Sequence, residues 1–530
     1  MRHVISRRNF AAAGMTALAG LGWPIRGRAQ QSQTLRFIPQ TDLRVLDPIW
    51  TTAYVTRNHG YMVFDTLFAL DDKFEPHPQM VGDYHVSRDN LTYTFVLRDG
   101  LRFHDGQAVR GADCTASLRR WMARDSCGQA LAAAIAEMKG GDDRTFSIRL
   151  KRPFPLLIGA LAKVSSIVPF IMPERLAVTD PFRQVTEMVG SGPFRFVASE
   201  FEPGNRIVYV KNPDYVPRRE PPSWASGGKI VKVERVEWIV VPDHATAAAA
   251  LNSGDVDWWE LPPLDLVPAL DARDVVVAEA DPLGASQLVR FNHLWPPFDK
   301  PAMRQAVMAV ARQADFMSAV AGDPRNWQLC PSFFTCGCPM ANTAGAEALT
   351  GKRDFDKARA LVAAAGYQGE KIVVLDATDL PGPHAQAQVV ADLMKKLGLK
   401  VEIAAMDWGE LVTRRASRKP IAEGGWSVFG TSFSGADMLD PTLNQPLRCN
   451  GDKAWFGWPK DDKIEALRKA WVDSTDLELR QQIASQIQQR AFEVVPYIPT
   501  GQTIPKTAFR ANVKGRITAP AVLMWNIEKT

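Results

Sequence analysis

Between Asp354 and Ala404 the chain alternates helix and strand signals in an order that one kind of sheet accommodates. Residues 354–365 carry a helical pattern that stops at Gly366, a residue suited to a left-handed cap. Residues 371–375 form a buried-strand run, 384–397 a helix closed by Gly398, and 401–404 the next strand. Strand, helix, strand in that order predicts a parallel pair joined by a right-handed crossover. Upstream, Asp299-Lys300-Pro301 opens another helix, with Asp299 as cap, proline in the first turn, and Ala306, Val307 and Val310 on one face. The stretch from about 284 to 499 is therefore expected to be an α/β lobe. An earlier unit repeats the order less regularly. It has a strand at 231–241, a helix at 244–251 ended near Gly254, and extended chain at Asp255-Val256-Asp257-Trp258.

The start of the chain says where such lobes would work. Ser6-Arg7-Arg8-Asn9-Phe10 precedes an apolar run over 11–23, the form of a twin-arginine export signal. The run is shorter than the roughly 20 apolar residues that span a bilayer. Gly27-Arg28-Ala29 offers small residues at −3 and −1, so the mature chain is expected to begin near Gln30. No cysteine precedes Cys114, so no lipid-attachment site follows the leader. The expectation is a soluble periplasmic protein.

Removing the leader also removes the charge imbalance. The whole chain carries +5, and Arg2, Arg7, Arg8, Arg26 and Arg28 lie in the leader, which has no acid. Lys+Arg falls from 63 to 58 and equals the 58 acids. No concentrated basic face remains for nucleic acid, and no later segment is apolar enough to cross a membrane. A mature length of about 500 residues exceeds one core, so two or three domains are expected. Two α/β lobes in an exported chain suggest a hinged clamp with its ligand between them.

Six cysteines in an oxidising compartment favour disulfides. Cys336 and Cys338 are too close in sequence to pair comfortably with each other. The expected local bridge joins Cys330 to Cys336 or Cys338, and Cys114 with Cys127 is a second candidate pair. A metal site over Cys330 to Cys338 lacks a Cys-x-x-Cys spacing and a nearby histidine, so no metal and no cofactor are expected. A β-hairpin is expected over 91–109, from the branched and aromatic run Tyr93-Thr94-Phe95-Val96-Leu97 and the turn pairs Asp99-Gly100 and Asp105-Gly106. Adjacent strand residues point to opposite faces, so His104-Asp105 reads as part of a turn, not a catalytic pair.

Six pieces then fall in one order. They are Val63-Phe64-Asp65-Thr66-Leu67-Phe68; Asp83-Tyr84-His85-Val86-Ser87 running into Leu91 to Gly100; Phe103-His104-Asp105-Gly106 with Ala112-Asp113; Gly190-Ser191-Gly192-Pro193-Phe194; Ala250-Leu251-Asn252-Ser253-Gly254-Asp255-Val256-Asp257; and Arg290-Phe291-Asn292 with Pro297-Phe298 and Arg304-Gln305-Ala306. In this the chain resembles the peptide and nickel class of extracellular solute-binding proteins that serve ABC importers. The resemblance spans nearly all of the mature chain. It implies a two-lobed α/β clamp with a hinge and a small β-rich domain inserted in the first lobe. On this reading 1–29 is the leader, and 30–72, 190–283 and 500–530 build the first lobe. The insertion is 73–189, and 284–499 is the second lobe. It also implies binding without chemistry: a solute, peptide foremost, is enclosed and passed to a membrane permease. The chain would act as a monomer with no nucleic-acid partner.

The resemblance also suggests site residues. Family members that bind peptide amines carry an Asp between a Gly/Trp-containing strand and an acid–Pro pair. Here Gly424-Gly425-Trp426-Ser427-Val428-Phe429-Gly430 leads to Asp437, three residues before Asp440-Pro441. Asp437 inherits the ammonium-pairing role; its alternative is an Asx turn or cap before Pro441. The longer run from Gly430 to Gly435 departs from the family pattern. Trp50, after Asp47-Pro48, and Trp426 are aromatic pocket candidates, with core packing as their alternative. Thr51, Ser432, Phe433 and Ser434 are secondary candidates. Asn292 is expected at the crossing between lobes, touching ligand or satisfying backbone groups. Trp258-Trp259 reads as structural. Other solutes remain open: metal chelate, haem, opine or sugar. An exported hydrolase is disfavoured, because the chain has no Gly-x-Ser-x-Gly elbow, His-Glu-x-x-His motif or phosphate loop.

Overall fold

The computed structural model describes residues 33–530 except 166 and 272. The export leader (1–29) lies outside the described residues. Two large sheets frame the molecule. The first has seven strands in the order Phe194–Phe196, Arg206–Lys211, Arg235–Ile239, Thr34–Ile38, Trp258–Trp259, Lys506–Arg510, Val275–Glu279. The second has six: Trp327–Gln328, Tyr497–Thr503, Ala285–Phe291, Val428–Ser434, Ile372–Ala377, Val401–Met406.

The crossover read from sequence is present. Ile372–Ala377 and Val401–Met406 pair in parallel, joined through the helix Pro381–Lys396. The helix Phe355–Ala364 starts at Asp354, whose carboxylate accepts from Lys357 N at 2.9 Å. The earlier unit folds the same way. Arg235–Ile239 and Trp258–Trp259 both run parallel to Thr34–Ile38, and helix His244–Ser253 lies between them in sequence. Asp243 caps that helix and Gly254, at φ 84°, ends it. One expected cap is different: Lys300, not Asp299, precedes helix Pro301–Val310, without a side-chain bond.

The chain passes between the sheets twice. Residues 280–284 carry it from Val275–Glu279 into Ala285–Phe291, and Ile504-Pro505 carry it back from Tyr497–Thr503 into Lys506–Arg510. Ala280 N donates to Pro505 O at 2.9 Å, which sets the crossings side by side as a hinge. The expected boundary at 499/500 stops short of the return. Tyr497–Thr503 stays paired with Ala285–Phe291 as far as Thr503, so the sheet continues past it.

The region 73–189 holds a four-stranded antiparallel sheet in the order Val81–Val86, Thr92–Leu97, Thr145–Leu150, Ile135–Gly140. It is not β-rich, because helices Gly111–Arg124, Ser126–Ala134, Leu157–Leu161 and Glu174–Ala177 accompany the sheet. The expected hairpin over 91–109 is also replaced. Thr92–Leu97 pairs with Val81–Val86 and Thr145–Leu150, while the Asp105-Gly106 turn closes only the bridge Arg102–Ala108. A Cβ on Gly111 would lie 2.0 Å from Thr145 O, so only glycine lets this helix start against the sheet. Arg120 ties the region to the first lobe by gripping both oxygens of buried Asp47, at 3.0 and 2.7 Å. Cys330 and Cys336 form a disulfide. Cys114 and Cys127 do not pair; both are buried free thiols, and Cys338 is also free.

Candidate functional site

The lobes touch. Tyr54 Oη donates to Asp437 Oδ2 at 2.7 Å, Ser126 Oγ to Thr442 O at 2.8 Å, and Arg44 pairs with Asp407 at 3.1 Å. Behind these contacts lies a cavity of about 1070 Å³. The first lobe contributes Gln40, Tyr54, His244 and Trp259, and the second contributes Gln287, His384, Trp408, Arg415 and Thr431 to Phe433. Thr503, Pro505 and Lys506 bring the hinge to its wall. A volume of this size suits a solute larger than a single amino acid.

Strand Val428–Ser434 explains how the second lobe presents backbone here. One edge pairs along its length with Ala285–Phe291. The other edge pairs with Ile372–Ala377 only at Val428 and Phe429. Beyond Phe429 that edge has no strand partner among the described residues, and this is where Thr431, Ser432 and Phe433 line the cavity.

The strand ends in an acid-rich network. Asp437 is 1 % exposed. Its Oδ2 accepts from Tyr54 and, at 3.1 Å, from Ser165 Oγ; its Oδ1 is buried without a partner. Burial raises its pKa, opposed by Lys163, the Tyr54 bond and Arg57. The turn-capping alternative belongs to Asp440, whose Oδ1 accepts from Thr442 N and Leu443 N. Tyr54 Oη also accepts from Ser434 N at 2.5 Å, and Ser434 Oγ donates to Asp281 at 2.5 Å in the hinge. Burial pushes Asp281 up to about 6. Glu260, pushed up to about 7 by burial, accepts from Gln40 N and Asn58 Nδ2. Asp281, Glu260, Arg57, Tyr54 and Ser434 line a second cavity of about 100 Å³.

The sequence candidates divide. Ser432 and Phe433 line the large cavity and Ser434 the small one. Asp437 lines neither; Tyr54, bonded to it, lines both. Trp50 is half-buried away from the cavity, its carbonyl accepting from Arg124. Thr51 accepts from Ala53 N at the start of a helix. Trp426 is a core residue packed on Phe429 and Trp458, with Nε1 donating to Ser417 O. Asn292 is not at the crossing. It lies just past the far end of Ala285–Phe291, where it binds Trp426 O and Leu294 N and so satisfies backbone.

Sequence reasoning missed Tyr54, Trp259 and Arg415. Strand alternation puts Trp258 on Phe37 in the main core and Trp259 on the opposite face, in the cavity wall. Arg415 was hidden in the basic run Arg414 to Lys419. Its signal is spacing, since Trp408, Leu411, Val412 and Arg415 fall on one helical stripe, and Leu411 and Val412 are buried.

Two lobes, two hinge crossings and a cavity between them define the class of clamp-like binding proteins. The sequence profile described as bacterial extracellular solute-binding proteins, family 5 (middle) matches residues 75–455. A "Probable peptide ABC transporter periplasmic-binding protein y4tO" of Sinorhizobium fredii is 40% identical, with 99% of each chain covered. The chain belongs to this family of solute-binding proteins. Among solved structures, the binding protein AgaA from A.tumefacien R10, in complex with agropinic acid, superposes with a TM-score of 0.79 at 22% identity, covering 94% of this chain and 99% of the other. The Escherichia coli murein tripeptide binding protein MppA gives 0.78 at 18% identity, covering 94% and 99%. Both share the two-lobed fold. The family is one of binding, so no residue is assigned a catalytic role.

Proposed function

We propose that this protein captures peptides outside the cytoplasmic membrane for an ABC importer and hands them, chemically unchanged, to the membrane permease. The observation that carries the reading is the unpaired strand edge at 431–433 in the wall of the cavity. Extended peptide backbone adds to such an edge through main-chain hydrogen bonds, which are indifferent to side-chain identity. The S. fredii relative, whose printed description is a peptide ABC transporter component, supports it.

Asp437 serves the peptide ammonium. A buried carboxylate with a vacant oxygen favours a charge-assisted bond from a cation. Tyr54 and Ser165, which bond it now, stand on the opposite lobe. Contacts that exist only when the lobes meet are those that let ligand favour closure. The twin-arginine leader delivers the chain to the periplasm, and 73–189 is an insertion in the first lobe.

The test is mass spectrometry of ligand released from protein purified from the periplasm, followed by calorimetry with di- to pentapeptides. Released peptides and micromolar or tighter binding are expected. A released sugar, haem, opine or metal chelate, with no peptide binding, overturns the peptide reading.

A further inference from the structure

Among the described residues six arginines are buried: Arg57, Arg120, Arg290, Arg304, Arg415 and Arg468. Five have acceptors. Arg120 grips Asp47; Arg290 donates to the carbonyls of Phe456, Pro446, Pro496 and Trp455; Arg304 donates to those of Phe298, Val494 and Val495. Arg57 donates to Ser165 and Asn58, and Arg468 to Asn444 O. Arg415 is 2 % exposed, and its guanidinium has neither a hydrogen-bond acceptor nor an ion pair among the described residues. Its surroundings are rings: its Cζ lies 5.3 Å from the centroid of Trp408, 5.7 Å from Phe429, 5.4 Å from Trp455 and 4.9 Å from Phe456. Aromatic faces favour a cation but supply no lone pair for its N–H groups. Trp455 adds a second orphan donor, because its Nε1 is buried without a partner. Arg415 lines the inter-lobe cavity beside Trp408 and Phe433.

A guanidinium held among aromatic rings without protein acceptors is costly unless something in the cavity pairs with it. We propose that Arg415 and the Trp455 indole form the receptor for a carboxylate of the enclosed solute, so the natural ligand presents an anionic end to this aromatic box. The proposal rests on the reading of the cavity as the solute site. The planar fork of arginine matches a carboxylate with two parallel bonds. A phosphate fits less well, since its second negative charge would meet one cation with no other beside it. Burial alone holds the Arg415 pKa down, to about 9, and leaves the group charged at neutral pH.

The experiment compares random tripeptides with free carboxylates against the same library C-terminally amidated, by native mass spectrometry on ligand-stripped protein. Wild type should bind the acids at least 100-fold more tightly than the amides. Arg415→Met should bring the acids down to the amides, leave the amides unchanged, and raise the thermal midpoint of the stripped protein. Trp455→Phe keeps the ring and should weaken the acids alone, by several-fold. Equal binding of acids and amides by wild type overturns the proposal while leaving peptide capture standing. So does a loss in Arg415→Met that is the same for both libraries. If neither library binds, peptide capture fails, and co-purified ligand decides. A carboxylate-bearing solute present on wild type and missing from Arg415→Met supports the anion receptor. A neutral or cationic solute, or none, overturns it.

Discussion

The acid-rich network around Asp437 and the aromatic box around Arg415 both bury charge at the meeting of the lobes, and they do it in opposite ways. Asp437, Asp281 and Glu260 each accept at least one hydrogen bond from the protein, and Asp437 takes bonds from Tyr54 and Ser165 of the facing lobe. The Arg415 guanidinium donates to no protein acceptor among the described residues, and four rings lie 4.9 to 5.7 Å from it. The contrast teaches how one clamp can be both closed and receptive. The acid end is stitched across the lobes, and so reports closure. The arginine end is preorganised by packing, so its donors stay unspent until a ligand supplies acceptors.

The largest effect should come from breaking the acid end. Asp437→Asn should weaken free-amine peptides about 100-fold, close to 3 kcal/mol, and leave N-acetylated peptides unchanged in calorimetry. Equal losses for both would remove Asp437 from the ammonium site and leave only its role in closure.

The next effect is on pH. Glu260 is raised to about 7 by burial, with Arg57, Asn58 and Gln40 N opposing. Its folded pKa lies above its unfolded value, so the folded state holds a proton that the unfolded chain has released. Stability therefore falls as pH rises from about 4 to 7 and levels off above, by about 3 kcal/mol. Thermal melts should show Glu260→Gln shrinking this fall, with the part that comes from Asp281, raised to about 6, remaining. Arg415→Met should leave the window unchanged, since no acid faces Arg415.

The disulfide gives a smaller effect that separates the two ends. Thr335, beside the bridge, bonds Gly435 O and Met438 O on either side of Asp437. Reducing Cys330–Cys336 opens a short loop and should cost about 2 kcal/mol of stability, weakening amine-dependent binding more than carboxylate-dependent binding. Thiol titration of the unreduced, denatured chain should find the four free cysteines Cys114, Cys127, Cys338 and Cys449. The smallest effect is that of Tyr54→Phe. It removes one hydroxyl bridging Ser434 N and Asp437 and should open the ligand-free clamp by about 1 kcal/mol. This would appear as a larger radius of gyration in scattering.

Much of the fold was legible because local signals agreed with it. The parallel pair Ile372–Ala377 and Val401–Met406, its helix, and the helix end at Gly254 all follow from spacing and cap chemistry. Pairing over long sequence distance was not legible. Thr92–Leu97 looked like half of a local hairpin but joins Thr145–Leu150, and Tyr497–Thr503 extends a sheet whose strand order no local pattern announces. The candidate site was read best where the chain itself lines the cavity, at Ser432 and Phe433. Trp426 and Asn292 were drawn in by motif position, yet they serve the core and the backbone. Arg415 stayed hidden because a charged residue in a basic run reads as solvent-facing, and only its place on a buried helical stripe says otherwise.

The account stands on a clamp with one end for a cation and the other for an anion. The direct test is calorimetry of stripped wild-type protein with one tripeptide library, as zwitterions and with both ends blocked. The account predicts micromolar or tighter binding of the zwitterions and none measurable for the blocked peptides. Equal binding of the two forms would contradict it.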